Sequence, residues 1–366
     1  MEEKLYQVAL TRVPGIGDVT IKNLISYSGS AHEVFKSKKS LLLKIPGIGE
    51  KTAISIQLAD PLKDAEAILE QCKEKDIQIL HYTQSAYPER LKSIADAPSI
   101  LYLKGNAVLG NYDKRYLAIV GTRNATHYGK EVTESITQSC SELKATIISG
   151  LAYGIDIHAH RTGLAHGVSN IAVLAGGLDK IYPTVHQSVA NEIMENGLLI
   201  SENPPGTKAE AHYFPARNRI IAGLSDAVIV VEAAAKGGAL ITANIADSYN
   251  KPVFAVPGDL NNKYSAGCNY LIRNQKACIY TGPEDLVYYL NWDAELGGTQ
   301  PKAPNYDSLP DSERKICELL QESQSLPIDE LAWKTQITIN ELASLLLSLE
   351  FQGIIKSRPG KKYELC

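Results

Sequence analysis

Three groups of residues in this 366-residue chain have the types and spacing to do chemistry. The first is Gly121-Thr122-Arg123, which interrupts an apolar run at residues 117–120. Such a run reads as a buried strand. The helical spacing of Val132, Ile136, Cys140 and Leu143 follows, then a second apolar run at 145–148 ending in Ser149-Gly150. Strand, glycine turn, helix and strand make a βαβ unit and therefore a parallel sheet. Ligands of such sheets sit at the carboxyl ends of the strands, where turns gather backbone N–H groups. An arginine at that edge calls for an anion, with phosphate the first candidate. The second group is Phe214-Pro215-Ala216-Arg217-Asn218-Arg219. Guanidinium groups for phosphates and an aromatic face for a base are what a single-strand binder needs, each stacked base contributing roughly 1–3 kcal/mol. One of Arg217 and Arg219 is expected to be structural and the other to face the ligand.

The third group invites a catalytic reading and does not sustain it. Asp156, His158, His160 and His166 could suggest a metal, but residues two apart on a helix diverge. They read as packed or hydrogen-bonded side chains, and Asp179 and Tyr182 as residues that order a loop. Glu202 and Glu232 have no nucleophile or metal set beside them. No catalytic residue, metal or cofactor is expected. Two phosphate signatures are also missing. Without GxxxxGK[ST] there is no ATPase P-loop, and without GxGxxG after the first strand there is no nicotinamide site.

The elements around these groups alternate. Apolar runs at 171–174, 198–200, 227–231 and 253–256 are separated by helical patterns at 185–196, 220–224 and 239–249. Most runs end in Gly or Ser. This pattern describes an α/β fold, a Rossmann-like doubly wound parallel sheet. Residues 61–116 contribute further strands at 77–81 and 100–103 and are read with the sheet, which gives a central domain over 61–292.

On either side lie two smaller modules. Val13-Pro14-Gly15-Ile16-Gly17 recurs as Ile45-Pro46-Gly47-Ile48-Gly49, each copy preceded by apolar residues and followed by a helical pattern. Residues 1–60 thus resemble a tandem helix-hairpin-helix (SAM-like) domain. Glycines with positive φ would turn the hairpin and expose amides to a phosphate, making Gly15, Gly17, Gly47 and Gly49 candidate contacts. The segment carries eight Lys/Arg against six Asp/Glu, and a packing module is the alternative. After a linker at 293–305, residues 306–366 show helical patterns and a closing hairpin, similar to a winged helix. With seven Lys/Arg against ten Asp/Glu, and only the wing basic through Lys356, Arg358, Lys361 and Lys362, protein contact is favoured there over duplex binding.

Composition sets the outer bounds. With 44% apolar and 21% charged residues the chain is ordinary for a soluble protein, and its net charge of -4 announces no global basic field. Any nucleic-acid contact must be a local patch. Six cysteines without a CxxC pair indicate reduced thiols in a cytoplasmic protein. No signal peptide and no membrane-spanning run are expected.

The ordered motifs IVGTRNATHYG, ISGLAYGIDIHAH, AVLAGGLDKIYP, SENPPG, FPARNRIIAGLSDAVIVVEAAAKGGALITANIA and VFAVPGD resemble the DNA-processing protein A (DprA/Smf) family over residues 77–290. The resemblance implies a single-stranded DNA binder of natural transformation, with no enzymatic activity. Such a protein shields incoming strands, loads the recombinase RecA and forms a homodimer through the Rossmann-like domain. By position, Gly121, Thr122 and Arg123 match the family's turn at the DNA pocket. Phe214 matches its base-contacting aromatic, and Arg217 and Arg219 its basic pair, with Asn218 between them. Lys251 is a further phosphate contact on this reading. Where some members carry a lysine just ahead of the aromatic, this chain has Ala211 and His212. Gly237-Gly238 stands where Ser-Gly is usual. The alternative is a Rossmann-like nucleotide-cleaving enzyme of the nucleoside monophosphate hydrolase type. Those enzymes use a PGGxGTxxE glutamate that AAAKGGALITAN lacks.

Overall fold

The computed structural model describes residues 2–107, 109, 115–292, 309–323, 326–352, 354–358 and 362–365. The chain forms two compact units, Met1–Ala294 and Glu295–Cys366. The first is built on a nine-stranded sheet. Its strands are β1 (Gln78–His81), β2 (Ile100–Lys104), β3 (Arg115–Val120), β4 (Ala145–Ser149), β5 (Asn170–Val173), β6 (Leu198–Ser201), β7 (Ala227–Val230), β8 (Val253–Ala255) and β9 (Cys278–Ile279). They lie in the order β1-β2-β6-β5-β4-β3-β7-β8-β9. The seven from β6 to β9 are mutually parallel, and β2 and β1 close one side antiparallel. The chain steps outward from β3 to β6, then returns to place β7 on the other side of β3. The winding therefore reverses between β3 and β7, and a doubly wound sheet keeps its ligand crevice at that point.

The strands are apolar throughout because helices cover both faces. Along β3, Tyr116, Ala118 and Val120 enter one core with Ile220, Ile221, Leu240 and Ala243. Leu117 and Ile119 enter the other with Ile136, Cys140, Ile155 and Ala159. The period of two sends neighbours to opposite faces.

The helices Ala266–Arg273 and Pro283–Leu290 are not expected from the sequence, and two further elements differ from the expectation. Strand β9 is two residues long and only partly buried, so no apolar run marks it. The helix expected from residue 220 spans Tyr213–Leu224, with Pro215 in the first turn, where a missing N–H costs nothing.

Residues 2–58 form helices Glu2–Arg12, Asp18–Ser28, Ala31–Lys36, Lys39–Leu42 and Glu50–Leu58 around a core that includes Leu10, Ile21, Leu24, Val34, Leu42 and Ile56. This small core is not free-standing. Val8 and Ala9 pack with Ala65, Ile68 and Cys72 of the helix Leu62–Glu74 and with the sheet beyond.

The second unit has helices Asp311–Ser323, Ile328–Thr335 and Ile339–Phe351. A small antiparallel sheet runs in the order β10-β12-β11, from β10 (Leu326–Pro327), β11 (Ile355–Arg358) and β12 (Lys362–Leu365). This is the winged-helix arrangement, and its Lys356 is paired with Glu364 at 3.1 Å. The linker at 293–305, the Pro359-Gly360 turn and Lys361 lie outside the described residues. Among the described residues no helix is long and apolar enough to cross a membrane.

Candidate functional site

A cavity of about 600 Å³ opens at the carboxyl ends of β3 and β7, where the winding reverses. Its first wall is the turn after β3. Thr122 N donates to the carbonyl of Glu232 at 2.7 Å, and Thr122 O accepts from Ile155 N at 3.1 Å. Four residues on, Thr126 donates through N and Oγ1 to the Glu232 carboxylate at 2.9 and 2.6 Å. The turn is thus tied at both ends while the Arg123 side chain stays exposed. Gly154 lies so close beneath it that a Cβ would stand 2.1 Å from Thr122 O, and its φ of +79° is one that side-chain-bearing residues rarely adopt.

The second wall is the helix Tyr213–Leu224. Phe214, Arg217, Asn218 and Ile221 line the cavity, the i, i+3, i+4, i+7 stripe of a helix. Arg123 lies with its Cζ 5.5 Å from the centroid of the Phe214 ring. A cation and an aromatic face from distant parts of the chain therefore meet. Tyr182, 55% exposed, stands edge-on to Phe214 with ring centroids 6.0 Å apart and extends the aromatic surface past the rim.

Because the helix begins at Tyr213, Arg217 and Arg219 are two apart on it and point to different sides, and neither is a free phosphate ligand. Arg217 is 4% exposed and donates Nη1 to the carbonyls of Gly150 and Val173. It holds together the ends of β4 and β5. Arg219 donates to the Asp96 carbonyl at 2.7 Å and to the carboxylates of Asp18 and Glu202. The expectation that one of the pair is structural and the other faces ligand is corrected: both make internal bonds, and Arg217 does so while lining the cavity with its Nε unpaired. Lys251 is corrected too. Its Nζ donates to the carbonyls of Gly223 and Ser225, both at 2.5 Å, just ahead of β7 and so at the opposite edge of the sheet. Burial pulls its pKa down to about 8.

Three cations line the cavity, Arg123, Arg217 and Lys236, against one carboxylate, Asp156. Burial pushes Asp156 up, opposed chiefly by the charge of Arg217. Arg217, drawn down to about 10 by burial, remains charged at neutral pH. The notch is locally electropositive on a chain whose net charge is -4. It also departs from dinucleotide sites in one respect. There the helix after the first strand receives the phosphates. Here the helix His127–Glu142 starts on a Thr126 cap with the Glu232 carboxylate bound beside it. An anion is turned away from that helix, in keeping with the missing GxGxxG. Lys236, Gly237 and Gly238 form the remaining wall. The sequence reading noted Gly237-Gly238 without a binding role and passed over Lys236, although a lysine and two glycines ahead of an uncapped apolar helix were a usable signal.

The hairpin glycines divide by position. Gly15 and Gly47 adopt positive φ, +79° and +81°, whereas Gly17 and Gly49 are extended N-caps. The first hairpin faces the sheet: Asp18, opening its helix, accepts from Ser99 N and Oγ at 2.7 and 2.8 Å. In the second, Glu50 opens the helix and pairs with Lys39 at 2.8 Å. A carboxylate thus stands where each hairpin would meet a phosphate.

The histidines do not converge. His158 Nε2 lies 3.1 Å from the Lys130 carbonyl, while His160 Nδ1 is buried against Asn170 Oδ1 at 2.9 Å. Burial holds His160, and likewise His81, at about 4. The unfolded chain binds protons below about pH 6.5 that these folded residues refuse until about pH 4. Stability is therefore lost as pH falls through that window, on the order of 2 kcal/mol per histidine at pH 5. Calorimetry at pH 7.5 and 5 should show the loss. His160→Gln should shrink the difference between the two pH values, whatever its stability at pH 7.5.

Comparison with known proteins gives a consistent picture. The sequence model described as DNA recombination-mediator protein A matches residues 78–291. Those described as DprA winged helix domain and SAM-like helix-hairpin-helix tandem match residues 300–361 and 8–59. Protein Smf of Synechocystis is 33% identical over 400 residues, covering 99% of this chain and 98% of that protein. DNA processing protein DprA of Streptococcus pneumoniae is 35% identical over 281 residues, covering 70% of this chain and 98% of that protein. The X-ray structure of DprA from Streptococcus pneumoniae superposes with a TM-score of 0.65 at 30% identity, covering 79% of this chain and 97% of that one. A Helicobacter pylori DNA processing protein A structure, described as giving insight into a unique single-stranded DNA binding mode, superposes at 0.53 with 32% identity. That match covers 59% of this chain and 96% of the other.

Proposed function

The chain belongs to the DNA recombination-mediator protein A family, and from that premise we propose that its cavity grips single-stranded DNA without reacting with it. The observation that carries this reading is the meeting of Arg123 with Phe214 at 5.5 Å on the rim of an electropositive notch. The cation takes a phosphate and the ring takes a base, and Gly121 and Thr122 shape the turn that presents Arg123. Asn218 faces the same space, 9% exposed. Arg217 and Arg219 act by holding loops in place. In this reading the protein processes DNA in transformation, works as a cytoplasmic homodimer and passes its strands to RecA. Family membership supports that part. No enzymatic step is assigned: among the described residues lining the cavity, Asp156 is the one carboxylate, and it is buried. Nucleotide cleavage is disfavoured accordingly, since the helix after Gly237-Gly238 carries no glutamate.

The test is a titration of labelled oligothymidine and of duplex DNA at two salt concentrations. Single strands should bind more tightly, with a salt dependence that reports the phosphates held. Phe214→Ala should weaken binding roughly 5- to 150-fold, the equivalent of the 1–3 kcal/mol per stacked base, with the salt slope unchanged. Equal affinity for duplex, or no effect of Phe214→Ala, would remove the stacking role.

A further inference from the structure

The helix Gly238–Ser248 begins at the wall of the cavity. A helix leaves its first amides without intrahelical partners and carries a partial positive charge there. Of the other helix starts at this cavity, Tyr213–Leu224 is likewise without a side-chain cap, and two are already filled. His127–Glu142 has Thr126 and Glu232, and Ile155–Ala165 has Asp156 in its first turn. Gly238–Ser248 has neither: its N-cap is Gly237, with no side-chain cap and no acidic residue in the first turn. A Cβ at Gly237 or Gly238 would meet nothing within 4 Å, and exposed Lys236 directly precedes them. A second feature belongs to the same cavity. Arg217, buried and lining the cavity, leaves its Nε with no hydrogen-bond partner. Buried donors are almost always paired, so an orphan on a cavity wall is a place for an acceptor to arrive.

We propose that the cavity holds a second phosphate of the same DNA strand at the start of the helix Gly238–Ser248, on the amides after Gly237 and beside Lys236. This inference rests on the reading of the notch as a single-strand site and extends it. The strand is gripped at two phosphates, one at Arg123 and one at the helix start, with Phe214 on the rim between solvent and cavity. A volume of about 600 Å³ is in the range of pockets that enclose a nucleotide-sized ligand.

Gly237→Asp makes the test sharp, because its effects on folding and on binding oppose each other. Gly237 is extended, at φ 165° and ψ 170°, a conformation any residue adopts. Aspartate is a preferred N-cap, so the variant should melt at or above the wild-type temperature. Its carboxylate would occupy the anion position, so affinity for a twelve-residue oligothymidine should fall tenfold or more. Gly237→Ser, a cap without charge, should lose less. Lys236→Ala, a surface change, should lower the salt slope by about 0.7, the share of one phosphate on a single strand. A 5′-phosphate on the oligonucleotide should add nothing that Gly237→Asp removes. A gain that the variant abolishes would assign the position to a terminal phosphate and overturn the internal one. If Gly237→Asp binds as wild type while Arg123→Ala is weakened, this inference fails and the reading of the notch stands. If neither is weakened, both fail.

Discussion

Arg217→Ala should destabilise the first unit by about 3–5 kcal/mol, the cost of leaving a buried charge and its partners uncompensated. The guanidinium is 4% exposed and donates to the carbonyls of Gly150 and Val173. It is also the largest counterweight to the burial of Asp156. Alanine would strand two acceptors and a carboxylate in the interior. No shift of the backbone can refill the space cheaply, because the Gly150 Cα sits directly against the guanidinium. A Cβ there would stand 2.2 Å from Nη1. In calorimetry the transition of this unit should fall by something on the order of 10 °C. DNA affinity should fall with it, since the ends of β4 and β5 lose their tie. Arg217→Lys should recover little, because an ammonium cannot reproduce the fixed fork of donors. A melting temperature within two or three degrees of wild type would show that the arginine is dispensable to the fold and free to serve a ligand.

The roles of the two arginines also show where sequence reasoning stops. The sheet was legible because strands buried on both faces become unbroken apolar runs, as in β3 and β7, and because glycine turns end them. The Arg123 turn was legible for the same reason: its position follows from the strand before it. The segment Phe214 to Arg219 was harder. The helical pattern reads only from residue 220, yet proline is tolerated in a first turn, and the helix starts at Tyr213, two residues before Pro215. Once those residues are helical, the 100° rotation per residue sends Arg217 to the cavity wall and Arg219 to Asp18 and Glu202. Asp18 comes from the first hairpin, a partner that no local pattern reveals. Lys251 was misplaced for a similar reason. Its neighbours Gly223 and Ser225 are set by a crossover, and a lysine beside a proline looks the same at either end of a sheet. Glu232 had no visible role until the turn it ties was seen to lie against it.

The second large effect is expected at Arg123, and it bears on the idea that the notch holds a strand by charge and stacking together. The side chain is exposed, so Arg123→Ala should leave the melting temperature unchanged within a degree or two. A charge-assisted contact to one phosphate is worth about 1.5–3 kcal/mol, which corresponds to roughly a 10- to 150-fold loss of affinity for oligothymidine. The loss should be larger at low salt than at high salt, because the cation also releases a counterion when the strand binds. Since the guanidinium also lies over Phe214 at 5.5 Å, removing both should cost less than the sum of the single losses. The decisive measurement is the affinity of wild type and Arg123→Ala for one oligothymidine across a salt series. The account predicts two lines of different slope, with the variant shallower by about 0.7 and weaker throughout. Coincident lines would contradict it, since the strand would then be held somewhere other than the notch between β3 and β7.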